Sequence, residues 1–89
     1  MNAQQTELLD KAILKVLDAN RSRYGLSAAA LKHLVPQFGF SDVEAETILD
    51  RIDYLTKKSL VEEVSKIISN ANRAWRITEA GLQFIDEQG

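Results

Sequence analysis

The cations of the C-terminal half are spaced to grip an anion. Lys66, Arg73 and Arg76 flank the small polar run Ser69-Asn70-Ala71-Asn72. Asn and Ser form turns and tolerate left-handed backbone, so this run reads as a hairpin tip. Ammonium and guanidinium groups beside the amides of Asn70 and Asn72 suit phosphate oxygens or a minor groove. The same charges on a hairpin also protect an edge strand from pairing with another chain. Arg51 and Tyr54 are a second candidate pair, for a base edge or for a protein partner; the plainer reading is a solvated Arg and a half-buried Tyr. Arg21, Arg23 and Lys32 form a third group, near a predicted second helix.

Acids stand against these cations. Residues 41–55 hold Arg51 against Asp42, Glu44, Glu46, Asp50 and Asp53, a local charge of −4. Residues 56–78 hold Lys57, Lys58, Lys66, Arg73 and Arg76 against Glu62 and Glu63, a local charge of +3. Residues 1–40 stand at +2 and residues 79–89 at −3, so the whole chain carries −2. With a sequence pI of about 5.3, the basic footprint of a self-sufficient DNA binder is missing from the total. The segregation of sign along the chain remains, and it can steer a partner.

Other chemistries find little support. His33, the single histidine, has no carboxylate or thiol at ligand spacing on its helix, so it reads as a surface residue and no metal or cofactor is expected. There is no Gly-rich phosphate loop and no nucleophile with a nearby histidine, so an enzyme is not expected. With no cysteines, disulfides are excluded. No apolar run approaches the roughly 20 residues needed to span a bilayer. The polar N-terminus lacks a signal-peptide pattern, so a cytoplasmic protein away from membranes is expected.

The elements that must position these residues follow from periodicity. Eighty-nine residues make one domain, 1–89. Thr6 to about Asn20 predicts a first helix capped by Thr6, with Leu9, Ala12, Ile13, Val16 and Leu17 as its buried stripe and Leu8 at the border. Glu7 and Lys11 are spaced for a favourable i,i+4 pair on its wet side. Tyr24-Gly25-Leu26 reads as a short extended piece. Ser27 caps a second helix, Ala28 to about Val35, which Pro36 ends. Pro36 to Phe40 is a turn in which Phe38 and Phe40 plug the core and Gly39 supplies a positive φ. Ser41 to Lys58 predicts the third helix, the organising element, with a Ser41/Glu44 capping box and a stripe at Ala45, Ile48, Leu49, Ile52 and Leu55. It runs directly into a strand, Leu60 to Ile68, bulged near Ile67-Ile68. In the returning strand, Arg73, Trp75 and Ile77 share one face and Ala74 and Arg76 the other, with Trp75 packing onto the third helix. Thr78 caps a last helix, Glu79 to about Glu87.

The segment Trp75-Arg76-Ile77-Thr78-Glu79-Ala80-Gly81-Leu82 resembles the aromatic-x-aliphatic-Thr-Glu-x-Gly closure of the wing in the winged helix-turn-helix superfamily, as found in bacterial and phage regulators. Tyr24-Gly25-Leu26-Ser27 is similar to that superfamily's first strand and helix start. The resemblance covers nearly the whole chain and implies a mainly helical domain with a small antiparallel sheet, in the order α-β-α-α-β-β-α. It also implies a recognition role for the third helix, whose outward positions would be Glu44, Thr47, Asp50, Arg51 and Tyr54. Two functions follow as expectations. One is a DNA-binding, transcription-regulator-like module that relies on the basic wing. The other is a protein-interaction module that keeps the fold without autonomous DNA binding, through the acidic helix or the apolar residues of the terminal helices. A homodimer through those helices, with Leu8 or Phe84 at the contact, is a further expectation.

Overall fold

A computed structural model describes residues 2–21, 24–40, 43–64 and 73–88. Among them, α1 spans Ala3–Ala19, β1 Leu26–Ser27, α2 Ala28–Leu34, a 3₁₀ turn Val35–Phe38, α3 Ala45–Lys57, β2 Val61–Glu63, β3 Ala74–Ile77 and α4 Glu79–Gln88. The three strands form an antiparallel sheet in the order β1-β3-β2. Leu26 pairs with Trp75 on one side of β3, and Val61 with Ile77 on the other. The predicted element order is therefore present, including the short Leu26 strand, which joins the sheet as an edge.

Helix α1 begins earlier than Thr6 because Asn2 and Gln5 cap each other. The Gln5 N–H donates to the Asn2 side chain at 2.8 Å, and the Asn2 N–H donates to the Gln5 side chain at 3.1 Å. That reciprocal pair satisfies two N–H groups that a helix start leaves open. Thr6 instead donates its hydroxyl to the Asn2 carbonyl at 3.0 Å. The buried stripe also proves wider than predicted, since Asp10 and Leu14 join Leu9, Ala12, Ile13, Val16 and Leu17. The reason is position: α1 touches α2, the 3₁₀ turn, α3, β3 and α4. A helix with neighbours on several sides buries more than one narrow stripe. Thus α1, rather than α3, is the element on which the rest packs.

Ser27 caps α2 as expected, accepting from the Ala30 N–H at 3.2 Å. Leu31 and Val35 are buried. Pro36 ends the α-helix but sits within a 3₁₀ turn, which closes at Gly39 with φ +99°. Phe40 packs against the core, whereas Phe38 is 40% exposed and does not plug it.

Helix α3 begins at Ala45, later than the predicted start at Ser41, with Glu44 as its N-cap, whose side chain makes no capping hydrogen bond; the Ser41 half of the predicted box lies outside the described residues. Ile48, Ile52 and Leu55 are fully or almost fully buried, with Leu49 packed beside them. Each such side chain contributes roughly 1.5–3 kcal/mol by leaving water. The helix does not run straight into the strand. The Ser59 N–H donates to the Thr56 carbonyl and the Leu60 N–H to the Leu55 carbonyl, both at 3.0 Å, while Ser59 takes φ +63°. This left-handed closure satisfies the last carbonyls of α3 and turns the chain into β2. The predicted bulge at Ile67-Ile68 lies outside the described residues.

Trp75 and Ile77 point into the core, at 1% and 8% exposure. Thr78 caps α4 as expected, accepting from the Gly81 N–H at 3.1 Å. Its hydroxyl also donates to the Ser59 carbonyl at 2.7 Å, tying the start of α4 to the α3–β2 turn. At Gly81 a Cβ would collide with the Leu60 carbonyl and the Ile77 side chain, so the glycine permits α4 to lie close against that turn.

Candidate functional site

The sequence placed Arg73 and Arg76 together as a basic wing. They stand three residues apart, so they fall on opposite faces of the sheet. Arg73 shares the face of buried Trp75. Its guanidinium lies 4.9 Å from the Trp75 ring centroid and donates through Nε and Nη2 to the two Glu63 oxygens, each at 3.1 Å. Asp53 on α3 approaches the same guanidinium at 3.9 Å. Arg73 therefore links Glu63 of β2 to Asp53 of α3. Arg76 is on the other face and pairs with Glu62, the residue directly across from it in the ladder. It borders an outer cleft with Arg21, Glu62 and Glu79, where cations and anions balance.

Arg51 departs furthest from expectation. It does not point outward from α3 but toward α1. Its Nε donates to Asp10 Oδ1 at 2.8 Å and its Nη2 to Asp10 Oδ2 at 2.7 Å. The two side chains retain 24% and 11% of their exposure. The hydrogen bond to Asp10 raises the Arg51 pKa from its ordinary value, against the lowering effect of burial. A fork this well matched is among the stronger charge-assisted contacts. Asp10 is the residue the sequence reading missed. A signal existed: Asp10, Ile13, Leu14 and Leu17 follow i, i+3, i+4, i+7 spacing, so this carboxylate lies on a buried face.

Tyr54 does remain outward, at 43% exposure. The Arg51 guanidinium lies 4.3 Å from its ring centroid and the Lys58 ammonium 5.6 Å. Arg51, Tyr54 and Lys58, with Asp10, Leu60 and Phe84, border an open hollow of about 650 Å³ between α1, α3 and α4.

The remaining candidates scatter. Arg21 is held by Asp18, one turn earlier, at 3.1 Å. Lys32 is exposed on α2. Lys66, Asn70, Asn72 and Arg23 lie outside the described residues. The described candidates thus divide among the α1–α3 seam, the two faces of the sheet and α2, and they do not form one patch. Every arginine among the described residues has a carboxylate partner within 4 Å.

The acids of α3 behave differently. Glu46, Asp50 and Asp53 are exposed and follow i, i+4, i+7 spacing, which aligns them along one outward stripe. Among the described residues, no cation lies within ion-pair distance of Glu46 or Asp50; Asp53 reaches only Arg73. The i,i+4 pair anticipated for Glu7 with Lys11 is not formed within that distance. No described helix is long and apolar enough to cross a membrane.

Comparison with known proteins returned no matching family model, no matching curated protein and no matching solved structure.

Proposed function

We propose that the chain is a winged helix-turn-helix domain serving as a protein-interaction module, with the outward face of α3 as its contact for a basic partner surface. The architecture is supported by the element order, by the β1-β3-β2 sheet and by the sequential α2, turn and α3. The function rests on one observation: the described arginines are engaged by carboxylates, while Glu46 and Asp50 have no cation within ion-pair distance among the described residues and lie on the helix that would enter a major groove. Duplex DNA carries a charge every ~1.7 Å along its axis, and affinity comes largely from cations that displace its counterions. Inserting an acidic stripe there costs energy, and Arg51, the neighbouring guanidinium whose charge would offset it, is turned toward Asp10. A basic protein surface meets no such repulsion.

The competing DNA-binding, transcription-regulator reading keeps Lys32 together with Lys66, Asn70 and Asn72, which lie outside the described residues. One pair of titrations separates the two. Labelled duplex DNA at low salt is expected to show no saturable binding up to tens of micromolar, a range within which typical non-specific binders already bind. A Lys/Arg-rich probe peptide is expected to shift the amide resonances of Ala45–Lys57, and the Glu46→Gln/Asp50→Asn variant to abolish those shifts. Salt-sensitive DNA binding that weakens in Arg73→Ala/Arg76→Ala overturns the proposal in favour of a DNA-binding wing.

A further inference from the structure

A second surface has the opposite character, and it is independent of how α3 is used. Gln5, Leu8, Lys11, Ala12 and Lys15 of α1 face Phe38, Gly39 and Phe40 of the turn before α3, across a groove of about 410 Å³. Leu8 is 47% exposed and Phe38 40%, so two of the large apolar side chains that α1 and the turn leave in water line the same groove. Phe40 and Ala12 continue its floor into the core. At Gly39 a Cβ would meet nothing within 4 Å, so the lip on the turn side is open space.

The charge on this groove is basic. Lys11 and Lys15 rise beside the apolar strip, and neither has a carboxylate within ion-pair distance among the described residues, Glu7 included. The described arginines are each neutralised by an acid, whereas the described lysines, Lys32, Lys57 and Lys58 included, are not. What sets Lys11 and Lys15 apart is the exposed apolar pair Leu8 and Phe38 beside them. Two ammonium groups at i,i+4 on one helix also repel mildly. An anionic occupant removes that repulsion, and an apolar one covers Leu8 and Phe38.

We infer that this groove docks a short amphipathic segment of a partner protein whose apolar side chains alternate with Asp or Glu. The apolar side chains seat between Leu8, Phe38 and Phe40, and the carboxylates reach Lys11 and Lys15. The aliphatic stems of those lysines lie along the strip while their charged heads stay at its edge, the arrangement of an apolar centre with a polar rim. A groove of this size supports a weak, transient contact rather than a permanent one.

The test uses the full chain, ¹⁵N-labelled, and a probe peptide of about 12 residues in which Leu and Phe alternate with Glu. Shifts centred on Leu8, Lys11, Lys15 and Phe38–Phe40 are expected below about 1 mM peptide. Lys11→Glu/Lys15→Glu should weaken the peptide about tenfold or more and favour its Glu-to-Lys counterpart. Phe38→Ser, at an exposed position, should weaken both peptides. Circular dichroism melts show whether each variant is folded, and a variant that melts early is replaced by Lys11→Gln/Lys15→Gln, which must also weaken the peptide. Shifts centred elsewhere, no shifts, or equal binding by the lysine counterpart overturn the inference. So does sedimentation showing a dimer that the lysine variants abolish, because a second copy then fills the groove. Duplex DNA shifting the same amides also overturns it, assigning the lysines to phosphates.

Discussion

Arg51 and Arg73 make the same contact in different surroundings. Each presents Nε and Nη2 to the two oxygens of one carboxylate, and each stacks on an aromatic ring, Tyr54 or Trp75. Arg51 reaches a partner 41 residues away and joins two helices across a seam where the acid keeps 11% of its exposure. Arg73 reaches a partner 10 residues away within one hairpin, where both side chains keep 34%. Sequence separation and burial differ, and these set the weight of the pair. A half-buried pair cannot lose one member without leaving a charge stranded, whereas at an exposed pair water replaces the missing partner.

The largest effect should come from stranding Arg51. Asp10→Ala is expected to cost about 2–3 kcal/mol, the usual penalty for a broken buried pair reduced for the residual exposure of Arg51. In an urea titration read by circular dichroism this moves the midpoint without changing the slope. A cost no larger than that of an exposed pair breaks the distinction between the two sites.

Next comes the replacement of both members. Asp10→Leu/Arg51→Met removes the charges together and keeps apolar volume in the seam, so its stability should lie within about 1 kcal/mol of the wild type. Should it instead match Asp10→Ala, the seam depends on the fork itself and not on the absence of stranded charge.

Arg73→Ala should cost about 1 kcal/mol, combining the exposed pair with Glu63 and the contact with Trp75. Arg73→Lys keeps the charge but loses the planar fork. It should recover less than half of that loss if the stacking dominates, as a thermal melt of the three proteins will show.

The smallest effect concerns salt. The coupling between Arg76 and Glu62, measured by a double-mutant cycle, should be about 0.5 kcal/mol at low salt and fall toward zero at about 0.5 M NaCl. The Asp10–Arg51 coupling should keep most of its value. Alkaline pH is the poorer probe. Both Arg51 and Arg73 have pKa values raised by hydrogen bonds to Asp10 and Glu63. A raised pKa contributes stability below the unfolded value and loses it only as pH passes the folded one. For arginine that window lies above the range in which proteins are studied.

How much of this was legible follows from the range of each interaction. The stripes of α1 and α3, the Ser27 and Thr78 caps and the positive φ at Gly39 are set by residues within a turn or two, and periodicity reported them. Errors at helix starts were also local: Asn2 with Gln5 outcompeted Thr6 as a cap. The opposite faces of Arg73 and Arg76 were implied by strand alternation, yet counting charge along the chain merged them into one patch. The exposure of Phe38 was not legible, because the path of the turn around Pro36 decides it.

The sequence by itself determined the elements, their order, most of the core and the acidic outward stripe of α3, because these depend on spacing along the chain. The tertiary structure decided which charges remain available. It turned Arg51 across the seam to Asp10, set Glu62 opposite Arg76 through the strand register, and left Lys11 and Lys15 without an acid partner among the described residues, beside Leu8 and Phe38. The physical reason is that a charge is neutralised by what lies within a few ångströms of it, and that distance is fixed only when helices and strands have packed.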